Sequence, residues 1–391
     1  MEKFKDYMNK LKDAKNISEF AVKKDFNYTV AFIQTETNTV EGIYRSLLPS
    51  FYLNNLTTIR AFPVGRSEQM NSVSINQKEY EIKRNLAEIT DHIIFPFTSL
   101  PLKGVVEELK KINPKLKFSY YIDYNFYFIP DSFPFMKEYA GAEIIANIEE
   151  NITVVDQVIV TNRSLYNYLS LELSKKDNIK GCKTDICHQP LYYDKSLFPK
   201  LPEENLKKDN KKVRFGIVMN QTHFSDLNFI KGILKEFLKN NSDKAEIVLM
   251  GWNGMYKGKN YLSNIDIEYH PPVPFFDYFE KLISLNIDCF IIPAKDNKFN
   301  TTSKNYIKGI EFTRLNTPII APDIDPYKEI FTHNDNAVLC KTKENWLFEM
   351  ETFLKDPDKY YGLKDRAFVS ILEKEISEKD NIENLLNIYE I

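Results

Sequence analysis

Twice along its length this chain repeats one alternation: a short apolar run, a polar loop, an amphipathic helical stretch, then another apolar run. In the first half the apolar runs are Tyr28–Ile33, His92–Phe97, Lys117–Ile122 and Gln157–Val160. Helical patterns run through Tyr44, Leu47 and Leu48 and over Val105–Lys111, Glu143–Glu150 and Ser164–Leu173, the last started by Thr161 or Asn162. In the second half the runs are Val213–Met219, Ile247–Met250, Asp288–Ile292 and Pro318–Ala321, with helices expected over Phe229–Leu238, Phe276–Leu285 and Ser303–Arg314. A helix is expected at Met1–Lys15, and after Trp346 the chain reads as helical to its end. Continuous apolar strands separated by helices are the pattern of a parallel sheet covered on both faces.

Between the halves, PKLPEENLKKDNKK at Pro199–Lys212 combines two prolines, dense charge and no apolar periodicity, which is the composition of an exposed interdomain linker. The expected fold class is therefore α/β: two Rossmann-like domains facing across a cleft, with C-terminal helices. The expected division is residues 1–203, residues 204–370, and a helical segment 371–391 that packs back on the first domain. At 391 residues and 43% hydrophobic composition the chain exceeds what one core usually organises, which agrees with two. In open parallel sheets ligands bind beyond the carboxyl ends of the strands, so chemistry is sought there.

Charge narrows the partners. Fifty-two basic against fifty-five acidic residues give a net charge of −3, so no long-range field draws in nucleic acid. The apolar runs, such as Ile287–Pro293, are too short to cross a bilayer, and the charged N-terminal stretch lacks a signal-peptide core, which predicts a cytoplasmic location. Four scattered cysteines do not form a disulfide framework. Cys182, Cys187 and His188 lack a second pair at zinc spacing, and no G-x-G-x-x-G, P-loop or G-x-S-x-G motif is present.

One segment carries chemistry: DCFIIPAKDNKFNTTSKNYIKGIEFTRLNTPIIAPDIDPY, Asp288–Tyr327. Read as one helix, Ser303–Arg314 sets Lys304, Lys308 and Glu311 on a single face, with both cations near its N-terminal end. Lysine is disfavoured there, and a helix start already offers unpaired amides, so two added ammonium groups predict a local diphosphate site. The alternative is a solvated helical face with Glu311 paired to Lys308.

The order of residues resembles the C-terminal domain of GT-B glycosyltransferases of the group-1 type, a subgroup of which reads F-N-x-x-K-S-x-x-K-x-x-E-Y followed by P-V-I-A-S-D-x-x-P-Y. Phe299, Asn300, Lys304, Lys308, Glu311, Phe312, Pro318, Ile319, Ile320, Ala321, Asp323, Pro326 and Tyr327 fall on that pattern, with one extra residue before Lys304. The resemblance implies that Glu311 holds the ribose of a nucleotide sugar and that the nearby lysines bind its diphosphate. The family's second Glu is replaced by Ser303, and Asn316 takes the place of its turn glycine, a left-handed position that Asn tolerates. FGIVMNQTHFSDL resembles the family's first strand and phosphate loop through Gly216, Asn220, Thr222, His223 and Asp226, although Asp226 is equally suited to cap the next helix. The resemblance covers residues 211–370 well and the first half only coarsely.

The implied activity is transfer of a sugar from a nucleoside diphosphate sugar to a glycan or lipid-linked saccharide acceptor, with retention. Peripheral association with the inner membrane face goes with a lipid-linked acceptor. The expected catalytic residues are Lys304, Lys308 and Asp123, the last at a strand end where acceptor hydroxyls would lie. Donor contacts are expected from Glu311, Asn300, Ser303, Asn220, Thr222, His223 and Val273, with no cofactor and no metal. Asp323-Ile-Asp325 matches the D-x-D of metal-dependent transferases, but the paired lysines supply the charge that a metal would bring. Trp252 suits either acceptor stacking or core packing. The rivals are a noncatalytic scaffold of the same fold, suggested by Ser303, and an epimerase or phosphorylase.

Overall fold

The computed structural model describes residues 4, 6–9, 26–33, 42–65, 73–74, 79–130, 141–175, 184–189, 212–252, 255–256, 259–372 and 378–389. The charged linker with its boundary at residue 203, most of the expected N-terminal helix, Cys182 and residues 190–194 lie outside them.

The chain divides into two compact units: Met1–Tyr127 with Glu138–Asp194 and Ile376–Ile391, and Phe128–Lys137 with Lys195–Glu375. The first is built on strands β1 (Tyr28–Ile33), β2 (Ile59–Gly65), β3 (Val73–Ser74), β4 (His92–Phe95), β5 (Lys117–Ile122), β6 (Gln157–Val160) and β7 (Asp185–His188). They form one parallel sheet in the order β3-β2-β1-β4-β5-β6-β7. Val30, Ala31, Phe32, Phe118, Tyr120, Tyr121 and Ile122 are all buried, which requires cover on both faces. Asn162 caps helix Arg163–Leu173, its Oδ1 accepting from Leu165 N at 2.8 Å.

Strand β2 is absent from the sequence reading because Pro63 interrupts its apolar run, and proline argues against a strand flanked on both sides. Here it pairs in register with Phe32 of β1. Helix Glu378–Tyr389 belongs to the first unit. Its Ile388 carbonyl accepts from Gln157 Nε2 at 2.6 Å, and the Tyr389 ring packs edge-on against Phe32 and His92.

The second unit holds β8 (Val213–Met219), β9 (Ala245–Gly251), the short hairpin β10 (Met255–Tyr256) and β11 (Lys259–Asn260), then β12 (Ile267–His270), β13 (Cys289–Ile291), β14 (Ile319–Pro322) and β15 (Val338–Cys340). The main sheet is parallel with order β12-β9-β8-β13-β14-β15. Its side chains separate by the two-residue period: Ile247 and Leu249 join one core with Phe215, Ile217 and Phe353, while Val248 and Met250 join another with Phe290, Phe312 and Ile319. Met350 and Phe353 of helix Lys343–Lys355 and Tyr360 and Leu363 of Pro357–Leu372 complete the first of these cores.

Strand order decides where a site can form. The chain leaves β8 for β9 on one side, and its return begins with β13 on the other, so loops diverge from the carboxyl ends of these neighbours. Such a switch point leaves a crevice above the sheet.

Candidate functional site

After β8 the chain makes a turn, Gln221–His223, and enters helix Phe224–Asn241. Asn220 Oδ1 accepts from Thr222 N at 3.0 Å, from the Thr222 hydroxyl, and from His223 Nδ1 at 2.8 Å. The other ring nitrogen of His223, Nε2, lies 3.5 Å from Lys308 Nζ, and that ammonium donates to the Val218 carbonyl at 2.6 Å. Burial first, then the charges of Lys304 and Lys308, push the His223 pKa well below its ordinary value. The ring is therefore neutral at pH 7, and its proton sits on Nδ1, donated to Asn220, because Nε2 faces an ammonium.

From β13 the chain passes Lys295 and enters helix Lys298–Ser303, capped by Asn297, whose Oδ1 accepts from Asn300 N at 2.8 Å. Here the expectation of one helix carrying Lys304, Lys308 and Glu311 is wrong. Lys304 is the extended C-cap of Lys298–Ser303, with φ −75° and ψ 157°, and a second helix, Ile307–Arg314, carries Lys308 and Glu311. The cause is local: Thr301 and Thr302 hydroxyls turn back to the Lys298 carbonyl, and Asn305 Oδ1 accepts from Ile307 N at 3.1 Å. Such side chains compete with the helical backbone.

Lys304 nonetheless returns to the cluster. Its Nζ lies 2.7 Å from Asp226 Oδ2, an ion pair in which the lysine side chain is 15% and the aspartate 1% exposed. Asp226 is not the N-cap that its sequence position suggested. It sits in the first turn of its helix, with Oδ1 accepting from Asn300 Nδ2 at 2.8 Å and Lys295 N at 3.0 Å. Asp226 thus answers the charge of Lys304, while Lys308 donates to a backbone carbonyl. One helix start adds to the cluster: Phe224–Asn241 receives no side-chain cap from its N-cap residue, His223, whereas Asn305 Oδ1 already accepts from the first amide of Ile307–Arg314.

Glu311 is 3% exposed, and its Oε2 accepts from the Tyr278 hydroxyl at 3.1 Å. Gly309 lets this helix press on Phe331, since a Cβ there would meet the ring at 2.7 Å. Val273 and Tyr278 are each half-buried and pack against the core of Phe290 and Phe312, and Ser303 is buried at 7%. Trp252 lies in the core, its Nε1 donating to the Met255 carbonyl at 3.1 Å.

Asp123 belongs to the first unit, just past β5. It is buried, and its Oδ2 lies 2.6 Å from Arg45 Nη1 on the π-helical turn Ile43–Leu47. Sequence reasoning missed Arg45, which has no periodic signal tying it to Asp123, and Tyr278, whose helix reads as a core stripe. Among the described residues no three His, Cys, Asp or Glu groups gather as a metal site requires, and no helix is long and apolar enough to cross a membrane.

No protein-family model and no curated protein sequence matches the chain. Solved structures match its fold. HepE of Anabaena, in complex with UDP and glucose, superposes with a TM-score of 0.62 at 12% identity over 93% of this chain and 99% of that one. A sucrose-phosphate synthase from Thermosynechococcus elongatus gives 0.60 at 12% identity over 93% and 98%. A protein from Listeria monocytogenes described as a UDP-N-acetylglucosamine 2-epimerase gives 0.50 at 12% identity over 93% and 96%. At such identities the likeness is one of fold. The chain has the two-unit α/β architecture of GT-B glycosyltransferases.

Proposed function

We propose that this protein is a glycosyltransferase that moves a sugar, with retention, from a nucleoside diphosphate sugar to a glycan or lipid-linked saccharide acceptor. The observation that carries the reading is the meeting, at the β8/β13 switch point, of Lys304, Lys308, neutral His223 and the start of helix Phe224–Asn241. When the bond from the anomeric carbon to the diphosphate oxygen breaks and that carbon bonds to an acceptor hydroxyl, negative charge grows on the departing diphosphate. Preorganised cations and amides stabilise that charge. Lys308, Lys304 and the amides at the start of helix Phe224–Asn241 are assigned this task, with Asn220, Thr222, His223 and Asn300 shaping the loop around them. Glu311 and Tyr278 hold the ribose, Val273 borders the base, Ser303 faces the donor sugar, and Asp123 with Arg45 serves the acceptor side. No metal and no further cofactor enter this scheme, and the location is the cytoplasm or the inner membrane face.

The test begins with thermal shift against UDP, GDP, CDP and dTDP and their sugars. The best donor is then incubated with saccharide acceptors, and both free nucleotide and new glycoside are measured. Donor binding with glycoside formation supports the proposal. A changed sugar still attached to nucleotide points to an epimerase, which the Listeria likeness keeps in view. Binding without turnover on any acceptor points to the scaffold reading that Ser303 motivates.

A further inference from the structure

The carboxylate of Asp226 lies where two distant stretches of sequence interlock: its own, in the first turn after the β8 loop, and the stretch Lys295–Lys304 after β13. Asn300 Nδ2 donates both to Asp226 Oδ1 at 2.8 Å and to the Lys295 carbonyl at 2.7 Å, which fixes the amide as the donor. With Lys295 N also donating to Oδ1 at 3.0 Å, that oxygen is committed to one backbone and one side-chain donor of the loop, and Oδ2 is turned to Lys304 Nζ at 2.7 Å. The loop, the carboxylate and the ammonium therefore move as one body.

We propose that Asp226 is a positioning residue for the diphosphate, acting through Lys304; the inference rests on the reading of this cluster as a nucleoside diphosphate site. An ammonium has three protons. One is directed at Asp226, which locks the long side chain, so that an anion meeting this ammonium orders less on binding. Charge and position act in opposite directions here. Removing the carboxylate raises the positive charge of the cluster, which favours a diphosphate, yet it releases the lysine that must meet it. Asp226→Asn separates the two. Its oxygen keeps the two loop donors, and its NH2 then confronts the Lys304 ammonium, donor against donor, so the lysine swings out.

The experiment is calorimetric: dissociation constants of UDP, GDP, CDP and dTDP and of the matching monophosphate of the tightest binder, for the wild type, Asp226→Asn, Asp226→Glu, Lys304→Met and Asp226→Asn/Lys304→Met. The readout is the preference for diphosphate over monophosphate, which a general loss of structure would not move selectively. Asp226→Asn is expected to reduce that preference about tenfold. Asp226→Glu is expected to recover part of it, and the Asn change in the Lys304→Met background to shift it less than about twofold. An unchanged or increased preference in Asp226→Asn, or an equal loss with and without Lys304, overturns the proposal. Should Asp226→Asn not fold, the Glu variant decides: a preference no different from that of Lys304→Met overturns it too. A wild type that shows no preference for diphosphate overturns the functional reading instead.

Discussion

The Tyr278 hydroxyl donates to Glu311 Oε2 at 3.1 Å and so ties helix Phe275–Ser284 to helix Ile307–Arg314. If Glu311 holds a ribose, Glu311→Ala weakens nucleoside diphosphate binding on the order of ten to a hundredfold, from a charge-assisted hydrogen bond of about 1.5–3 kcal/mol. Turnover at saturating donor changes much less. Tyr278→Phe moves affinity the same way by a smaller factor and lowers the preference for UDP over its 2′-deoxy analogue. Wild-type affinity in both variants removes the ribose assignment.

Lys308 and Lys304 separate by their partners. Lys308 donates to a carbonyl, Val218 O, so Lys308→Ala costs little stability but lowers donor turnover by about 10² to 10³. Lys304→Ala strands a carboxylate that is 1% exposed and lowers the unfolding free energy by roughly 3 kcal/mol. Thermal melts and turnover measured on the two variants check this; a reversed pattern contradicts it.

Stability is expected to decline in acid, with His92 as one cause. Its ring is 3% exposed, Nε2 lies 2.7 Å from Ser119 Oγ, and burial, then the charge of Lys117, hold its pKa down to about 3. The unfolded chain, with an ordinary histidine value near 6.5, binds the proton first, so this contribution is complete above about pH 6.5 and is lost as pH falls toward 3. Denaturant unfolding between pH 7 and 4 is expected to show a slope that His92→Gln reduces by up to about 1.4 kcal/mol per pH unit. His223, shifted the same way, leaves a residual slope. Identical slopes in variant and wild type count against the assignment.

Asn316 connects helix Ile307–Arg314 to β14 with φ 52°, in the left-handed region. Asn316→Gly is expected to be close to neutral, and Asn316→Val to cost about 1–2 kcal/mol, read from the denaturant midpoint. A harmless valine there refutes the conformational argument.

Much of the fold is legible in residue order. The apolar runs that became β1, β4, β5, β6, β8, β9, β13 and β14 stand out because a strand buried on both faces must be apolar throughout. Asn162 as a cap and Asn316 as a left-handed turn are equally readable, since each follows from the backbone preference of one side chain. Elements without that signature were missed. Strand β2 contains Pro63, and β12 lies at a sheet edge, with Tyr269 40% exposed.

The candidate site divides along the same line. Lys304, Lys308, Glu311, Asn220 and His223 are identifiable as residue types at a spacing, because that is local information. Their partners are not: His223 meets Lys308 across 85 positions, Asp226 meets Asn300 across 74, and Tyr278 meets Glu311 across 33. Those pairings follow from β8 and β13 lying side by side in the sheet, which brings two remote loops together above their carboxyl ends. Sequence determined which side chains were available; the strand order, a property of the whole packed unit, decided that one lysine is held by a carboxylate and the other by a carbonyl.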